Sequence, residues 1–404
     1  MELNMVSKFV YAIATMDTKG VELQYVADCL RAAGVEVKVV DVGTGGLPTT
    51  EPDVTSDEVQ GNAPKSSYES RAVAVTAMGE ALQHYLMAQA DAGQVAGVIG
   101  IGGSGGTALI TPAMRSLAIG VPKVMVSTVA SGNTAPYVDC SDITMMHSVV
   151  DVAGLNIVSR KVLGNAAHAM AGMVQHGVDA VAGKPTLGMT MFGVTTPCVD
   201  AVREQLEKTG HQCLVFHATG TGGRAMEQLV ESRLLKGVLD ITTTEVADEV
   251  VGGVFPAGRQ RFKKLIESGV PVVLSLGALD MVNFGARETI PAQFSNRLVH
   301  VHNAHVTLMR TNKEENRLIA RWIATRVQKA ISPMVVIIPE LGLSALDAPG
   351  QPFHDPDTNA ILFQELEERL KGAEMCEVVR VRHHVNDQEF AERVVQHYNA
   401  LASR

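Results

Sequence analysis

The sequence predicts an α/β protein of two Rossmann-like domains, each a doubly wound and mostly parallel sheet, related by internal duplication. Short apolar strands alternate with helical patterns along nearly all of the 404 residues, as in parallel sheets with helical crossovers. A strand, a polar loop, a helix, a second strand and a Gly-Thr-Gly-Gly turn occur twice, ending at Gly46 and at Gly223. Such a long period indicates two related domains. Coincidental similarity between two ordinary βαβ units is the alternative.

Composition agrees with this fold class and excludes several classes of function. Apolar residues make up 46% of the chain and charged residues 19%, so a globular fold is expected rather than disorder. The net charge of −9 comes without a basic cluster, which argues against nucleic-acid binding. The five cysteines are scattered and form no CxxC pair, so reduced thiols and a cytoplasmic location are expected. Neither a signal peptide nor a membrane span is predicted.

The first domain is predicted to span residues 1–183. Apolar runs predict its strands, and apolar residues at helical spacing predict its helices. The strands are expected at 9–14, 35–40, 95–101 and 121–127, and the helices at 21–33, 72–92, 108–117 and 149–177. Gly34 is expected to end the first helix, and the polar stretch 47–70, with its prolines and acids, is expected to be a surface excursion.

The second domain is predicted to span residues 184–404, since Gly183-Lys184-Pro185 is the clearest break in the pattern. The order of strands and helices in the first domain recurs here, and further strands and helices follow it. The strands are expected at 186–191, 211–216, 237–241, 270–276, 334–338 and 377–381, and the helices at 199–208, 224–234, 316–330, 359–370 and 387–401. The second domain is therefore expected to have the larger sheet.

Four polar loops of the first domain follow strand ends, and ligands of open parallel sheets bind beyond the carboxyl ends of the strands. Glycines expose amide groups, hydroxyls donate hydrogen bonds and helix N-termini add partial positive charge, so these loops suit a phosphate group. The strongest of them is Gly102-Gly103-Ser104-Gly105-Gly106-Thr107, between a buried strand and a helix. The predicted nucleotide-binding residues are Thr15, Asp17, Thr18, Lys19, Thr44, Gly45, Gly102, Gly103, Ser104, Gly105, Gly106, Thr107, Thr128, Ser131 and Gly132.

Each of these loops has a structural alternative. The loop 102–107 is not a Walker A loop, because no Gly-Lys-Ser/Thr follows, and it is not a strict G-x-G-x-x-G fingerprint, because Asp41 ends a strand that precedes it. It can be a tight turn that uses glycine for packing alone. Lys19 can place its ammonium on a phosphate, whereas Asp17 can simply cap the helix that follows. The loop 128–134 is either a second wall of the site or an ordinary polar loop.

The corresponding edge of the second domain carries acids and hydroxyls instead of glycines. Asp240 and Glu245 flank the end of its third strand, and His302 lies in the run His300-Val301-His302-Asn303-Ala304-His305. We predict Asp240, Glu245 and His302 as catalytic residues, because carboxylates and imidazoles that face a bound ligand are suited to acid–base chemistry. For the three histidines, metal binding and structural hydrogen bonding stay open as alternatives, and no metal ligand is assigned.

Four motifs spread along the chain carry a family resemblance. They are Ala14-Thr15-Met16-Asp17-Thr18-Lys19-Gly20, Gly100-Ile101-Gly102-Gly103-Ser104-Gly105-Gly106-Thr107, Ser127-Thr128-Val129-Ala130-Ser131-Gly132 and Met309-Arg310-Thr311-Asn312-Lys313-Glu314-Glu315. With them the chain resembles the UPF0261 family, whose members are also called Tm-1-like proteins. The resemblance covers essentially the whole chain. It implies two Rossmann-like domains, an ATP-type nucleotide bound by the first of them, and a homodimer.

Two functions are compatible with these features. The first is an enzyme of small-molecule metabolism that binds ATP, with or without Mg²⁺, or another phosphorylated small molecule in a cleft between the two domains. The second is a non-catalytic ATP-binding regulatory or interaction protein, since the chain has no Walker lysine and no obvious nucleophile triad. A nicotinamide-dependent oxidoreductase is disfavoured by the fingerprint mismatch. The sequence narrowly favours the first function and leaves the substrate and the reaction open.

Overall fold

The structure, a computed structural model, describes residues 7–61, 70–178 and 183–404. The chain divides into two compact units, Met1–Val181 and Ala182–Arg404, which we call the first and the second domain. Each contains a parallel sheet between two layers of helices, with a separate apolar core on either face of the sheet. The predicted fold class of two Rossmann-like domains is confirmed, whereas their internal duplication stays a prediction.

The first domain has five strands in the order β2-β1-β3-β4-β5, all parallel. Its elements are β1 (Phe9–Ala14), α1 (Met16–Ala32), β2 (Val37–Asp41), α2 (Ser56–Gln60), α3 (Arg71–Asp91), β3 (Val95–Gly102), α4 (Ser104–Ser116), β4 (Lys123–Ser127), α5 (Ala135–Val138), β5 (Thr144–His147) and α6 (Ile157–Gln175). Alternate side chains of β1 point to opposite faces. Val10 and Ala12 pack with α1 and α6, while Tyr11 and Ile13 pack with α3 and α4.

Several elements of the first domain differ from the sequence prediction. Helices α1 and α4 begin at Met16 and Ser104, several residues before the predicted starts. Polar residues and glycines in their first turns lack an apolar stripe, so periodicity hides these turns. The helix predicted over 149–177 begins only at Ile157, where Asn156 forms a capping box. Strand β5 and the short α5 are additions that the sequence did not indicate.

The second domain has six parallel strands in the order β14-β13-β9-β8-β6-β7, so its parallel sheet is the larger of the two. Its elements are β6 (Thr186–Met191), α7 (Thr196–Lys208), β7 (Gln212–His217), α8 (Gly222–Glu231), β8 (Gly237–Thr242), α9 (Thr244–Val251), α10 (Lys263–Ser268), β9 (Val272–Gly277), β10 (Met281–Phe284), β11 (Val299–Asn303), β12 (Val306–Arg310), α11 (Lys313–Val327), β13 (Met334–Pro339), α12 (Pro356–Leu370), β14 (Cys376–Val381) and α13 (Gln388–Ala402).

An antiparallel sheet of β10, β12 and β11 is the main feature of the second domain that the sequence did not predict. Met281 and Leu308 of this sheet join an apolar cluster with Phe192 and Ala218, which follow β6 and β7, and with Phe353. The cluster therefore covers the edge of the parallel sheet at which its strands end. We call this edge, where the carboxyl ends of the parallel strands lie, the carboxyl edge in both domains.

The two domains share the order of their first four strands. Numbered within each domain, both sheets read 2-1-3-4, with β5 added in the first domain and β13 and β14 added in the second. The first and third strands lie side by side, and their connections leave in opposite directions. This arrangement creates a topological switch point, where open α/β sheets bind ligands.

Candidate functional site

In the first domain the switch point lies between β1 and β3, so the loops that follow these strands frame the site. After β3, Gly102 ends the strand, Gly103 is the N-cap and α4 begins at Ser104. A Cβ atom at Gly102 would lie 3.1 Å from Cα of Gly106, which is why the turn requires glycine here. The predicted glycine loop is thus a tight strand-to-helix turn whose second half is the first turn of a helix.

Hydrogen bonds of two threonines, Thr107 and Thr128, fix this turn. Thr107 donates from its amide and its hydroxyl to the carbonyl of Gly103, at 2.9 and 2.8 Å. Its Oγ1 also lies 2.6 Å from Oγ of Ser127, the buried last residue of β4. The ends of β3 and β4 are joined a second time, since the amide of Thr128 donates to the carbonyl of Gly102 at 3.3 Å. The turn is therefore held rigidly against the sheet.

The first residues of α4 take no part in these contacts. Ser104 and Gly105 are exposed and Gly106 is partly exposed. The first turn of a helix has no intrahelical acceptor for its amides, and Gly103 has no side chain to cap them. A Cβ atom at Gly105 would meet nothing within 4 Å, so there is room beside the turn. Free amides and the helix dipole make this turn suited to an anion.

The loop after β4 forms a second wall beside this turn. A Cβ atom at Gly103 would lie 3.8 Å from the hydroxyl of Thr128, which places that hydroxyl next to the turn. Ser131 and Gly132 are exposed, and the amide of Gly132 donates to the carbonyl of Val129 at 3.1 Å. The structure therefore brings Thr128 to the glycine turn and uses the Gly132 amide within the loop itself.

The first turn of α1 is different, because a carboxylate of the chain already binds there. Oδ1 of the buried Asp41 accepts hydrogen bonds from the amides of Met16 and Gly43, at 2.9 and 2.8 Å. The hydroxyls of Thr15 and Thr18 lie 3.3 Å apart at the same turn, and Lys19 has non-helical backbone angles. An anionic group would meet the charge of Asp41 at this position, so α4 is the better anion site of the two.

A cleft of about 610 Å³ opens beside α1. Its lining residues are Asp17, Thr18, Thr44, Gly45, Gly46, Leu47, Ser70 and Ala74. Oδ2 of Asp17 accepts a hydrogen bond from the amide of Gly45 at 3.1 Å, whereas its buried Oδ1 has no partner among the described residues. Leu47 is 90% exposed and adds an apolar surface. The cleft thus combines hydrogen-bonding groups with two apolar side chains, Leu47 and Ala74, and is more polar than most small-molecule sites.

In the second domain, Asp240 and Glu245 are fully buried and meet at one side chain, Arg261. The guanidinium lies 2.7 Å from Oδ2 of Asp240, 3.4 Å from Oε2 of Glu245 and 2.9 Å from Oε1 of Glu227. Burial lowers the pKa of Arg261, but the attraction of the three carboxylates outweighs it and the pKa is raised overall. Burial raises the pKa of Glu227 despite its contact with Arg261.

These contacts leave little of either predicted acid free for chemistry. Asp240 also accepts from the hydroxyl of Thr190 at 2.6 Å, and Oε1 of Glu245 accepts from the amides of Gly220 and Gly223 at 2.8 and 3.3 Å. Buried charges need such partners, and removing one of a pair is costly. The network gives both residues a structural role, and a catalytic role for them stays a prediction.

His302 lies on β11 and is exposed, as is His305 in the hairpin that follows. His300 is partly buried, with its ring centroid 6.3 Å from that of Phe353. The structure therefore does not bury His302 beside the carboxylates of Asp240 and Glu245. Throughout residues 7–61, 70–178 and 183–404, no group of three His, Cys, Asp or Glu side chains is placed to hold a metal ion.

Sequence reasoning missed several residues of these two edges. Arg261 lies in a loop without periodic pattern, so nothing in the sequence indicated its role as the partner of three acids. Leu47 and Ser70 line the cleft but lie at the ends of the stretch predicted as a surface excursion.

Within the described residues, no helix is long and apolar enough to cross a membrane.

Comparison with known proteins gives matches to both domains. A family model described as "Uncharacterised protein family (UPF0261) N-terminal domain" matches residues 8–179, and one described as the C-terminal domain of the same family matches residues 184–402. A UPF0261 protein of Rhizobium meliloti is 51% identical over 98% of this chain and 100% of its own length. The ToMV resistance protein Tm-1 of Solanum lycopersicum is 46% identical over 98% of this chain and 56% of its own length.

Solved structures are only distantly similar. A thioesterase domain from the curacin biosynthetic pathway covers 56% of this chain and 92% of its own, with 10% identity and a TM-score of 0.26. UDP-N-acetylglucosamine 2-epimerase from Rickettsia bellii covers 67% of this chain and 79% of its own, with 9% identity and a TM-score of 0.23. Similarity at this level supports no inference about fold or function.

Proposed function

The chain belongs to the UPF0261 family, and we propose that it binds a phosphate-bearing small molecule, an ATP-type nucleotide, at the carboxyl edge of its first domain. The observation that carries the proposal is the first turn of α4 at the switch point, where Ser104 and Gly105 are exposed, Gly106 is partly exposed, and the amides have no intrahelical acceptor. Consecutive free amides at the start of a helix bind phosphate oxygens.

The phosphate is proposed to lie at α4 rather than at α1. Asp41 accepts from the Met16 amide and so occupies the start of α1 with a negative charge. By contrast, the turn at α4 is lined by hydroxyls and amides, including the hydroxyl of Thr128. Lys19, in the first turns of α1 at the same edge of the sheet, supplies the cation that we predict to clamp the phosphates.

The rest of the ligand is proposed to extend toward the cleft beside α1. The side chain of Asp17 lines this cleft with a carboxylate that can accept from hydroxyl or amino groups, and Leu47 offers an apolar surface to a ring. If Mg²⁺ accompanies the nucleotide, Asp17 is the carboxylate of this edge that suits an ion with oxygen ligands. Thr18, Thr44 and Gly45 line the same cleft.

The observations favour binding over catalysis. Asp240 is bound by Arg261 and a hydroxyl, Glu245 is bound by Arg261 and two amides, and His302 is the one predicted catalytic residue that is exposed. A non-catalytic ATP-binding protein needs only the features described for the first domain. An enzyme of small-molecule metabolism would need acid or base groups beyond those two carboxylates, and His302 is the candidate of the chain for that role.

Substituting Ser104 by proline tests the proposal. Ser104 is the first residue of α4, where proline is well tolerated, and Gly103 before it is extended, as a residue before proline prefers. S104P therefore deletes one amide donor without breaking the helix, and S104A is the matched control that keeps it. We expect S104P to bind ATP roughly tenfold more weakly in calorimetric titration, the cost of one charge-assisted hydrogen bond. Equal affinity of the two variants, or no binding of ATP by the unmodified chain, would refute the proposal.

A further inference from the structure

At one equivalent position the two domains carry residues of contrasting chemistry, an exposed glycine in the first and a buried glutamate in the second. The third strand of each domain runs directly into a helix, β3 into α4 and β8 into α9, and these helices begin at Ser104 and Thr244. The next residue is Gly105 in the first domain and Glu245 in the second. Gly105 is exposed, with nothing within 4 Å of the place where a side chain would start, whereas Glu245 is fully buried.

The carboxylate of Glu245 occupies the amides of the Gly-Thr-Gly-Gly turn after β7. Oε1 of Glu245 accepts from the amides of Gly220 and Gly223, and Oε2 faces the guanidinium of Arg261 at 3.4 Å. A Cβ atom at Gly223 would overlap both the carboxylate and the guanidinium, so glycine is required there. Two glycine amides at the start of a helix, together with an arginine, are the groups that elsewhere bind a phosphate.

The amides at the end of β8 also have partners within the chain. Thr242 donates from its amide to the hydroxyl of Thr190 at 3.0 Å, and Thr243 donates to the carbonyl of Gly277 at 2.9 Å. The apolar cluster around Phe192 and Phe353 lies over the ends of strands of the same sheet. The turn from β8 into α9 is therefore buried, in contrast to the exposed glycine turn at the start of α4.

We propose that Glu245 is an internal anion: at the turn after β7 its carboxylate supplies the negative charge that two amides at the start of a helix and an arginine would otherwise take from a ligand. The second domain is then a self-occupied Rossmann-like domain, and each chain binds one phosphate-bearing ligand. The count of one ligand rests on the function proposed above, whereas the role of Glu245 as an internal anion does not.

Ligand stoichiometry tests the first part of this inference. Calorimetric titration of the full chain with ATP and MgCl₂ should give one site per chain, and G105E should abolish it by placing a carboxylate beside the free amides of α4. Gly105 has room for a side chain, and an acid in the first turn of a helix is favourable, so G105E should keep the unfolding temperature of the parent chain. G105Q, of the same size but neutral, should retain binding within about tenfold. Two sites per chain, or one site that survives G105E, would overturn the inference while leaving nucleotide binding intact.

Chemical rescue tests Glu245 whether or not ATP binds. E245A should lower the unfolding temperature, and millimolar formate should restore part of the loss in a saturable manner, because formate can replace the missing carboxylate beside Gly220, Gly223 and Arg261. V246A is the matched control, since Val246 is the next residue of α9 and equally buried but uncharged. Formate should leave V246A and the unmodified chain unchanged.

The outcomes of the rescue are decisive in both directions. Selective stabilisation of E245A by formate supports the internal anion, and equal effects on E245A and V246A, or none on either, contradict it. If E245A does not fold, E245Q keeps the volume of the side chain and removes only its charge. A fully stable E245Q would then show that no anion is needed at this position, and the inference would be wrong.

Discussion

The carboxyl edges of the two domains have the same strand order and opposite chemistry. In the first domain the turn after the third strand is Gly102-Gly103-Ser104-Gly105-Gly106, and the first two residues of its helix, Ser104 and Gly105, are exposed. In the second domain the equivalent turn is Thr242-Thr243-Thr244-Glu245-Val246, and it is completely buried. The same arrangement of strands can thus present backbone donors to a ligand or consume them internally. What decides between the two is a handful of side chains rather than the fold.

At its carboxyl edge the second domain also buries an unusual number of charged side chains. Glu227, Asp240, Glu245 and Arg261 are each at most 3% exposed. An ionised group in such surroundings is stable only if its partners replace the lost water, and here the guanidinium and several main-chain amides do so. The first domain leaves its equivalent position to solvent, so it needs no such network at α4.

Of the substitutions that test this comparison, the removal of Arg261 should have the largest effect on stability. R261L leaves three carboxylates buried without their cation, and we expect it to lower the free energy of unfolding of the second domain by about 3–5 kcal/mol or to prevent its folding. The single tryptophan of the chain, Trp322, packs against Phe262 in this domain, with ring centroids 5.7 Å apart. Urea unfolding followed by its fluorescence therefore reports on the correct domain.

The exposed Arg259, two residues earlier, provides the control for this experiment. R259L should change the unfolding free energy by no more than about 0.5 kcal/mol, as expected of a surface substitution. If R261L and R259L were equally stable, the buried network would not hold the second domain together, and the contrast between the two edges would lose its energetic basis.

A pH dependence should follow from Asp280, which helps to close the same edge. Burial raises the pKa of Asp280 to about 7, the nearby Asp347 adds to the shift, and Arg310 opposes it. Ser344 donates to Oδ2 of Asp280 at 2.7 Å, which ties the loop after β13 to the loop after β9. Because the folded pKa lies above the ordinary value of 3.8, the protonated form is favoured in the fold. The stabilisation that the protonated Asp280 gives to the folded domain is complete below about pH 4 and is lost as the pH rises through 7.

Substitution by asparagine separates this group from the other titrating residues. D280N resembles the protonated acid, so the unmodified chain should lose about 2–4 kcal/mol relative to D280N between pH 5 and pH 8. Urea unfolding followed by Trp322 fluorescence at several pH values gives this difference directly. Parallel pH profiles for the two chains would mean that Asp280 does not titrate in this range.

The sequence predicted the parallel strands well because buried strands are continuous apolar runs between turn residues. Strands β1 and β6 begin and end at the predicted residues. Helix starts were less predictable, because α1 and α4 begin with polar residues and glycines that have no apolar stripe. Of the sheet of β10, β11 and β12, the pairing of β10 with β12 escaped prediction because it joins distant segments of the chain. Strands β11 and β12 form a local hairpin, which sequence reasoning missed because it considered this segment only for its histidines.

For the site, sequence reasoning located the loops but not their partners. The residue types at 102–107 and at 15–19 indicated a ligand edge, because glycines and hydroxyls after strands have a local chemical meaning. Whether an acid faces a ligand or a buried arginine depends on contacts between distant segments, as with Glu245 and Arg261, which are joined through a loop. The prediction of Glu245 as catalytic did not anticipate that the second domain buries its own carboxyl edge.

The smallest of these expected effects concerns Thr107, whose hydroxyl holds the glycine turn at the start of α4 in place. T107V keeps the shape of the side chain but removes the hydroxyl that contacts Gly103 and Ser127. We expect a loss of about 1–2 kcal/mol in stability, seen as a shift of a few degrees in the unfolding temperature. ATP affinity should fall by about twofold to fivefold, since the amides of α4 are then held less firmly.

The comparison with T111V shows whether this loss of affinity is specific to the turn. Thr111 is also buried in α4, but its hydroxyl donates to the carbonyl of Thr107 within the helix and does not contact the turn. T111V should leave ATP affinity unchanged even if it alters stability. If both variants weaken ATP binding to the same extent, affinity depends on the stability of α4 as a whole. The contact between the hydroxyls of Thr107 and Ser127 would then make no separate contribution to ATP binding at the carboxyl edge of the first domain.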